Sequence, residues 1–341
     1  MPPQATLPHR NTALDNIKGV LIFLVVFGHF IELHIATDAF LRPIWIFIYA
    51  FHMPMFALVS GIFSKKLLDQ QAARNLIKTI VTPLIAFELI YECTEYVLMG
   101  KLSVYAGLIA PYWMLWYLMS LLCWRLLLPL FASMRFPLVA ALGLSLLTTY
   151  SEHAGYLLSG SRTLIFFPYF LLGSIMGQSV FLSEKRDGRL IGLALLTIAA
   201  AVVTVYSLPP LFDYRWLYGS FSLNRLGMAN LTGTLYQLLQ YGVSSTLGIA
   251  VLYLLSRQDL KLARIGQQSM YIFLWHGMAL IILQSTGVLP SILHMPPAAR
   301  LSISLLCSGL IVLIAAHPYC ERWTQRLILN PFSRLLIKNT G

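Results

Sequence analysis

Long apolar stretches separated by short polar connectors run through the whole chain. A membrane-spanning helix needs about 20 predominantly apolar residues, and ten stretches approach that length. They lie near residues 17–35, 44–63, 76–98, 112–131, 136–150, 164–182, 188–208, 234–255, 267–287 and 300–318. The third stretch carries three glutamates and the fifth is short, so nine or eleven spans are alternatives. The pattern predicts an all-α integral membrane protein, a bundle of about ten transmembrane helices.

The composition agrees with this fold class. Of the 341 residues, 58% are hydrophobic and 11% are charged, whereas an ordinary soluble domain has roughly 45–50% and 25%. No separate soluble domain fits. We expect a cytoplasmic N-terminal segment over residues 1–16, a single transmembrane domain over 17–320 and a cytoplasmic tail over 321–341. The four cysteines form no CxxC pair, so neither a disulfide framework nor a zinc site is indicated.

The basic residues predict the orientation in the membrane. A net charge of +11 would suggest nucleic-acid binding in a soluble protein, but here its position along the chain matters more than its sum. With ten spans, 18 of the 24 Lys and Arg residues lie on the side of both termini. The other side receives only Arg42, Lys101, Arg162, Arg215, Arg225 and Arg300. Both termini should therefore be cytoplasmic.

One connector on the predicted outer side, residues 209–233, is much longer than the others. Connectors of that length in compact proteins are often functional. This one is rich in aromatic side chains, namely Phe212, Tyr214, Trp216, Tyr218 and Phe221. Aromatic rings also anchor ordinary membrane interfaces. The segment is thus either a ligand contact or a lid or interfacial anchor.

Ionisable side chains at membrane depth are functional candidates, because they are costly to bury in hydrocarbon. His29 lies near the middle of the first span, and Lys18 lies at its cytoplasmic edge. Eleven residues separate them, which is roughly 16 Å of helical rise and places both on one face. A satisfied buried histidine is the structural alternative, but the depth of His29 and the cation on its face favour a function.

The second and third spans contribute further candidates. His52 lies near mid-depth beside Pro54, which should kink the helix, and Ser60 follows two turns later. His52 suits substrate contact or packing equally well. Glu88 is the deepest glutamate of the third span, and it could orient a catalytic imidazole as the third member of a triad does. A structural pairing of Glu88 is the alternative.

Three aromatic residues of the fourth span and a third deep histidine complete the set. Trp113 reads as an interface anchor, whereas Trp116 and Tyr117 are candidate substrate contacts. His276 lies at a depth similar to that of His29 and His52, so a metal site is conceivable. No two of these histidines have a ligand spacing, and we expect no metal.

Several short motifs together resemble the acyltransferase 3 family of membrane acyltransferases, with the fucose 4-O-acetylase branch as the nearest likeness. The motifs are Asp15-Asn16-Ile17-Lys18-Gly19, Gly28-His29, Phe51-His52-Met53-Pro54-Met55-Phe56 with Ser60-Gly61, Leu115-Trp116-Tyr117-Leu118, and the run from Ile265 to Gly277. The resemblance covers residues 10–320. It implies ten spans, a cytoplasmic acyl-CoA donor and O-acylation of a sugar in a cell-surface or secreted glycan. Many members carry Arg where this chain has Lys18.

The hypothesis is acyl transfer across the bilayer of a bacterial inner membrane, with acetyl-CoA as the expected co-substrate. His29 would serve as general base or as acyl relay, oriented by Glu88. Ser60, Tyr117 or His276 could stabilise the oxyanion, and Lys18, Lys65 and Lys66 could meet the phosphates of coenzyme A. For Lys65 and Lys66, an ordinary role as topology determinants is the favoured explanation. The rival is a transporter of a polysaccharide or lipid-linked sugar, because midplane histidines and glutamates also suit a proton relay.

Overall fold

The computed structural model describes residues 11–152, 155–178, 187–209 and 212–337. These ranges contain helices and connectors and no strand. The first half holds α1 (Thr12–Glu32), α2 (Leu41–Tyr49), α3 (His52–Ile62), α4 (Gln70–Leu76), α5 (Thr82–Met99), α6 (Val104–Gly107), α7 (Trp116–Ala132) and α8 (Pro137–Thr149). The second half holds α9 (Gly160–Met176), α10 (Gly188–Tyr206), α11 (Leu231–Ser256), α12 (Ala263–Gln267), α13 (Ser269–Ser285), α14 (Val288–Ile292), α15 (Pro297–Ala315), α16 (Pro318–Trp323) and α17 (Asn330–Leu336).

The predicted all-helical membrane class is confirmed. Within the described ranges, six helical segments are long and apolar enough to cross a bilayer. They are Thr12–Glu32, Leu41–Ile62, Trp113–Ala132, Gly188–Tyr206, Leu231–Ser256 and Pro297–Ala315. The apolar helices α8 and α13 are shorter than a full span. The count of about ten spans and the cytoplasmic placement of the termini stay predictions.

The second predicted span is broken into α2 and α3, at Ala50 and Phe51. Pro54 is the cause, because it has no N–H to donate to the carbonyl of Ala50 and its ring excludes regular helix before it. The predicted kink near His52 is confirmed, and His52 becomes the first residue of α3. Because of the break, α2 and α3 pack against different parts of the protein. Helix α2 packs against the outer connector, and α3 packs against α9.

Helix α1 is the central helix of the bundle, with contacts to α3, α11, α12, α13 and α15. A close helix crossing joins α3 to α9, where two glycines face each other's backbones. A Cβ at Gly61 would lie 1.9 Å from the carbonyl oxygen of Phe170, and a Cβ at Gly173 would lie 1.9 Å from that of Leu58. Small residues at this crossing let the two backbones touch, as in other membrane helix pairs.

The segment assigned to the cytoplasmic tail contains helices in its described part, and its cytoplasmic placement stays a prediction. The helices α16 and α17, with a wider helical turn between them at residues 324–329, continue past residue 320. Trp275 Nε1 donates to the hydroxyl of Thr324 at 2.8 Å, and Gln325 Nε2 donates to that of Tyr271 at 2.8 Å. Residues 318–336 therefore pack on the bundle through α13 and α5.

Candidate active site

An imidazole and a carboxylate form a contact at the C-terminal end of α1, which is its predicted outer end. His29 Nδ1 lies 2.7 Å from Glu32 Oε2, with only about an eighth of each side chain exposed. The hydroxyl of Tyr49 donates to the same carboxylate oxygen at 3.0 Å and lies 3.3 Å from Nδ1. A carboxylate accepts hydrogen bonds, so Nδ1 carries the proton and Nε2 keeps a lone pair. This arrangement fixes the tautomer and the orientation of the ring, with Nε2 as the free acceptor.

The carboxylate beside His29 is thus Glu32. Glu88, which was expected from the sequence to orient the imidazole, lies elsewhere. Both oxygens of Glu88 accept from the backbone N–H of Tyr112 at 3.0 Å, so Glu88 holds the start of the next helical segment. A signal for Glu32 was present in the sequence. It lies three residues after His29, the spacing at which side chains on one helix face meet.

The two other deep histidines are held differently. Nδ1 of His52 lies 2.9 Å from the carbonyl oxygen of Ile48, and Nδ1 of His276 lies 2.7 Å from that of Phe273. A carbonyl oxygen only accepts, so each Nδ1 carries the hydrogen and each Nε2 is an acceptor. Neutral His276 consequently has no N–H to offer an oxyanion from Nε2, contrary to expectation. Among the three, His29 has a carboxylate partner.

His276 is nevertheless part of the same site. Its ring stacks on that of His29 with centroids 5.6 Å apart, and it is fully buried. Its Nε2 lies among the buried polar atoms that have no hydrogen-bond partner. The structure therefore brings two of the three predicted histidines into contact. The third, His52, reaches them through Tyr49, whose ring centroid lies 4.5 Å from that of His52.

Two cavities meet at His29. The inner cavity is lined by Val25, His29, Met53, Phe56, Met114, Trp116, Tyr117 and Phe273. The outer cavity is lined by His29, Glu32, Tyr49, His52, Met53, Trp113, Trp116, Arg162, Phe166, Leu217 and Tyr218. Val25 lies one helical turn before His29 and Glu32 lies about one turn after it, so the cavities extend in opposite directions along α1.

Two parts of the outer cavity's wall were not assigned to the site from the sequence. They are Trp113 and the long outer connector. Trp113, read as an interface anchor, packs edge-on against His29 with centroids 5.2 Å apart. Its φ of 28° is a strained conformation for a residue other than glycine. The long outer connector contributes Leu217 and Tyr218, which favours ligand contact for that segment. Its residues 210 and 211 lie outside the described ranges.

The inner cavity leads toward a group of cations at the predicted cytoplasmic end of α3. Ser60 and Tyr117 share a hydrogen bond of 2.6 Å between their hydroxyls, beside the cavity. One turn further along, Arg125 Nη1 donates to the hydroxyl of Ser64 at 3.0 Å. Lys18 Nζ lies 4.9 Å from the centroid of the Phe63 ring and pairs with Asp15 at 2.7 Å.

Lys65 and Lys66 follow directly and are exposed. We call Lys18, Lys65, Lys66 and Arg125 the inner cation cluster. Arg125 has a half-buried guanidinium in this cluster and was counted in the sequence only as a topology marker. A metal site has no support in the described part of the chain, where no three His, Cys, Asp or Glu side chains are grouped to hold an ion.

An all-helical membrane protein with an imidazole-carboxylate pair between two cavities has the machinery of a group-transfer enzyme. The comparison with protein families identifies the class of enzyme. A family model for the acyltransferase domain of acyltransferase 3 proteins matches residues 11–333. This chain belongs to the acyltransferase 3 family. The predicted family is confirmed, and the fucose 4-O-acetylase branch stays a prediction.

Two curated relatives match a smaller region. The nodulation protein NolL of Mesorhizobium japonicum is 30% identical over 123 residues, which are 32% of this chain and 33% of the relative. NolL of Sinorhizobium fredii is 31% identical over 123 residues, with 32% and 34% covered. The match thus spans about a third of these relatives. No solved structure matches the chain.

Proposed function

We propose that this protein transfers an acetyl group from cytoplasmic acetyl-CoA to a sugar hydroxyl of a cell-surface or secreted glycan, in a bacterial inner membrane. The observation that carries the proposal is the position of His29, which lines both cavities. A transferase working across a bilayer must admit its donor from one side and its acceptor from the other. One base at the junction of the two cavities meets that requirement.

The donor side is the inner cavity. The nucleotide phosphates of coenzyme A would lie at the inner cation cluster, where Lys and Arg supply charge-assisted hydrogen bonds. Lys18 replaces the arginine common in the family and would act as a point charge. Lys18 can bind a phosphate while it pairs with Asp15, because its ammonium group has three N–H donors. The pantetheine arm would then follow α3 past Ser60 to the inner cavity.

The acceptor side is the outer cavity, whose aromatic rings offer flat apolar faces and whose lining includes the polar side chains of Glu32 and Arg162. With Nδ1 held by Glu32, the free Nε2 of His29 takes the proton of the sugar hydroxyl. The alkoxide oxygen bonds to the thioester carbonyl carbon, the carbon-sulfur bond breaks, and the thiolate receives the proton from the imidazolium. The alternative route, an acyl-imidazole on the same Nε2, uses the same two cavities.

Supporting roles follow from the contacts. The hydroxyls of Ser60 and Tyr117 form the donor group beside the inner cavity, so they are the candidates for stabilising the oxyanion. Trp116 and His52 line the outer cavity and would contact the acceptor. We give no role in the chemistry to Glu88, which is engaged by the backbone of Tyr112.

The test is release of free coenzyme A by the purified protein in proteoliposomes, with acetyl-CoA and glycan acceptors supplied on chosen sides. We expect release that requires both substrates, that is greatest with the two on opposite sides, and that disappears in His29→Ala. Release that is unchanged in a folded His29→Ala protein would contradict the role of His29. Movement of a glycan across the membrane without thioester consumption would favour the transporter instead.

A further inference from the structure

A single arginine faces the outer cavity together with His29. Arg162 lies in the first turn of α9 and is half-buried. Its guanidinium carbon lies 5.0 Å from the centroid of the Trp116 ring and 5.6 Å from that of Tyr156. The aromatic rings hold the planar guanidinium at the wall of the cavity. The sequence analysis had used Arg162 only to assign the outer side of the membrane.

The protein leaves the charge of Arg162 uncompensated. Its Nε donates to the carbonyl oxygen of Tyr218 at 3.3 Å, and its Nη2 donates to the hydroxyl of Ser220 at 3.4 Å. Both bonds are long and both acceptors are neutral. Among the described residues, no carboxylate lies within ion-pairing distance of Arg162. Glu32 lines the same cavity but is engaged by His29 and Tyr49.

An arginine remains charged at any pH at which a protein is folded. Removing a charge from water without an opposite partner is costly, so this site is suited to an anion that completes the pairing. The fork of donors matches a carboxylate or a phosphate, which binds two N–H groups at once. The neighbouring rings of Trp116 and Tyr218 suit the apolar faces of the sugar that carries the anion.

We propose that Arg162 binds a carboxylate or phosphate of the acceptor, so that this enzyme acylates an anionic saccharide. The inference rests on the proposed function, because it takes the outer cavity as the acceptor site. The anion would come from an acidic sugar or from the phosphate of a lipid-linked one. In either case the pairing holds the acceptor in the cavity that His29 and Glu32 also line.

The competing explanation is a purely structural arginine that fastens the outer connector to α9. The chain offers a matched control for it. The hydroxyl of the adjacent Ser161 donates to the carbonyl oxygen of Gly219 at 2.9 Å, so Ser161→Ala removes a tether of the same segment without changing the charge. A fastening role predicts similar effects of Ser161→Ala and Arg162→Gln. Anion recognition predicts an effect of Arg162→Gln alone.

The first experiment measures binding without acyl transfer. Glucose, glucuronate and glucose 1-phosphate share one ring and differ in their anionic group, and tryptophan fluorescence reports contacts at Trp116. We expect at least one anion to bind about tenfold or more tightly than glucose. The preference should vanish in Arg162→Gln, persist in part in Arg162→Lys and be unchanged in Ser161→Ala. The signal should also be absent in Trp116→Phe. Equal binding of the three ligands, or an anion signal that survives Arg162→Gln, would overturn the proposal.

The second experiment measures acetyl transfer to neutral, uronate-containing and phosphate-linked forms of one oligosaccharide. We expect Arg162→Gln to lower kcat/KM by about 10- to 100-fold for the anionic form alone. The form affected identifies the source of the anion. An equal loss for all forms, matched by Ser161→Ala, would overturn the inference and leave acyl transfer intact. Anion binding in the first experiment with no transfer in the second would contradict the proposed function and not the binding site.

Discussion

Two apolar helices of similar length have opposite surroundings in this molecule. In α1, 78% of the apolar stretch is buried inside the protein, whereas in α10 the figure is 6%. Helix α10 presents leucines and valines outward, the surface expected of a helix with lipid as its solvent. Helix α1 buries polar residues among its neighbours and carries the His29–Glu32 pair. Apolarity therefore brings both helices into the membrane, and the buried polar side chains distinguish the helix to which we assign the chemistry.

The strongest test of this contrast removes one polar side chain from each helix. We expect His29→Ala to lower acetyl transfer by about 10² to 10⁴, the range for loss of a general base. The control is Thr197→Val on α10, whose hydroxyl donates only to its own helix at Leu193. It should leave the initial rate of coenzyme A release within about twofold, because it removes a hydrogen bond within α10 and lies outside the lining of both cavities. A similar loss in both variants would indicate a general effect on folding.

The second test asks which carboxylate serves His29. Glu32→Gln keeps the size of the side chain and removes the charge that orients the imidazole. We expect kcat to fall by about 10- to 100-fold, as for other groups that orient a catalytic side chain. Glu88→Gln should cost much less, because its contacts are with the backbone of Tyr112. Single-turnover rates of the two variants measure the difference, and the reverse order would return the role to Glu88.

These two tests also show how much of the site could be predicted from the sequence. His29, His52 and His276 were identified because a titratable side chain inside an apolar stretch is conspicuous. Glu32 and Arg162 were missed as site residues because they lie at predicted span ends, where charge is unremarkable. Only the packing of α2, α7 and the outer connector shows that these span ends surround a cavity.

The fold, like the site, could be predicted from the sequence only in part. Hydropathy predicted the helical class and the approximate positions of the long apolar helices, and Pro54 predicted the break beside His52. Hydropathy could not predict which helices pack against each other, because that depends on where small residues let two backbones meet. The α3–α9 crossing depends on Gly61 and Gly173, and neither residue is conspicuous among the 22 glycines of the chain. The helical continuation past residue 320 was missed because its sequence is too polar to read as a span.

The third test compares glycines in the two kinds of helix. Gly61→Ala would place a Cβ 1.9 Å from the carbonyl oxygen of Phe170, so α3 and α9 must separate. We expect destabilisation by about 1–3 kcal/mol or more, as for other overpacked contacts. Gly192→Ala on α10 meets nothing within 4 Å and should be neutral or stabilising by up to about 1 kcal/mol. Thermal unfolding in detergent measures both, and equal effects would show that the crossing tolerates a methyl group.

The smallest expected effect on stability comes from an exposed ion pair in the outer connector. It tests whether a charged pair that is not buried contributes to stability. Arg215 holds the pKa of Asp213 below its ordinary value, mainly through side-chain hydrogen bonds at 2.7 to 3.1 Å. A lowered folded-state pKa stabilises the protein above the unfolded pKa of 3.8, and that contribution is lost as pH falls through the lower folded value. Both side chains are substantially exposed, so water screens them and Asp213→Asn should change stability by under about 0.5 kcal/mol at pH 7. Unfolding measured at pH 7 and at pH 3 should show that the small difference between wild type and variant shrinks at pH 3. A large effect at pH 7 would mean that the outer connector depends on this exposed pair for its own folding, contrary to the expected screening by water.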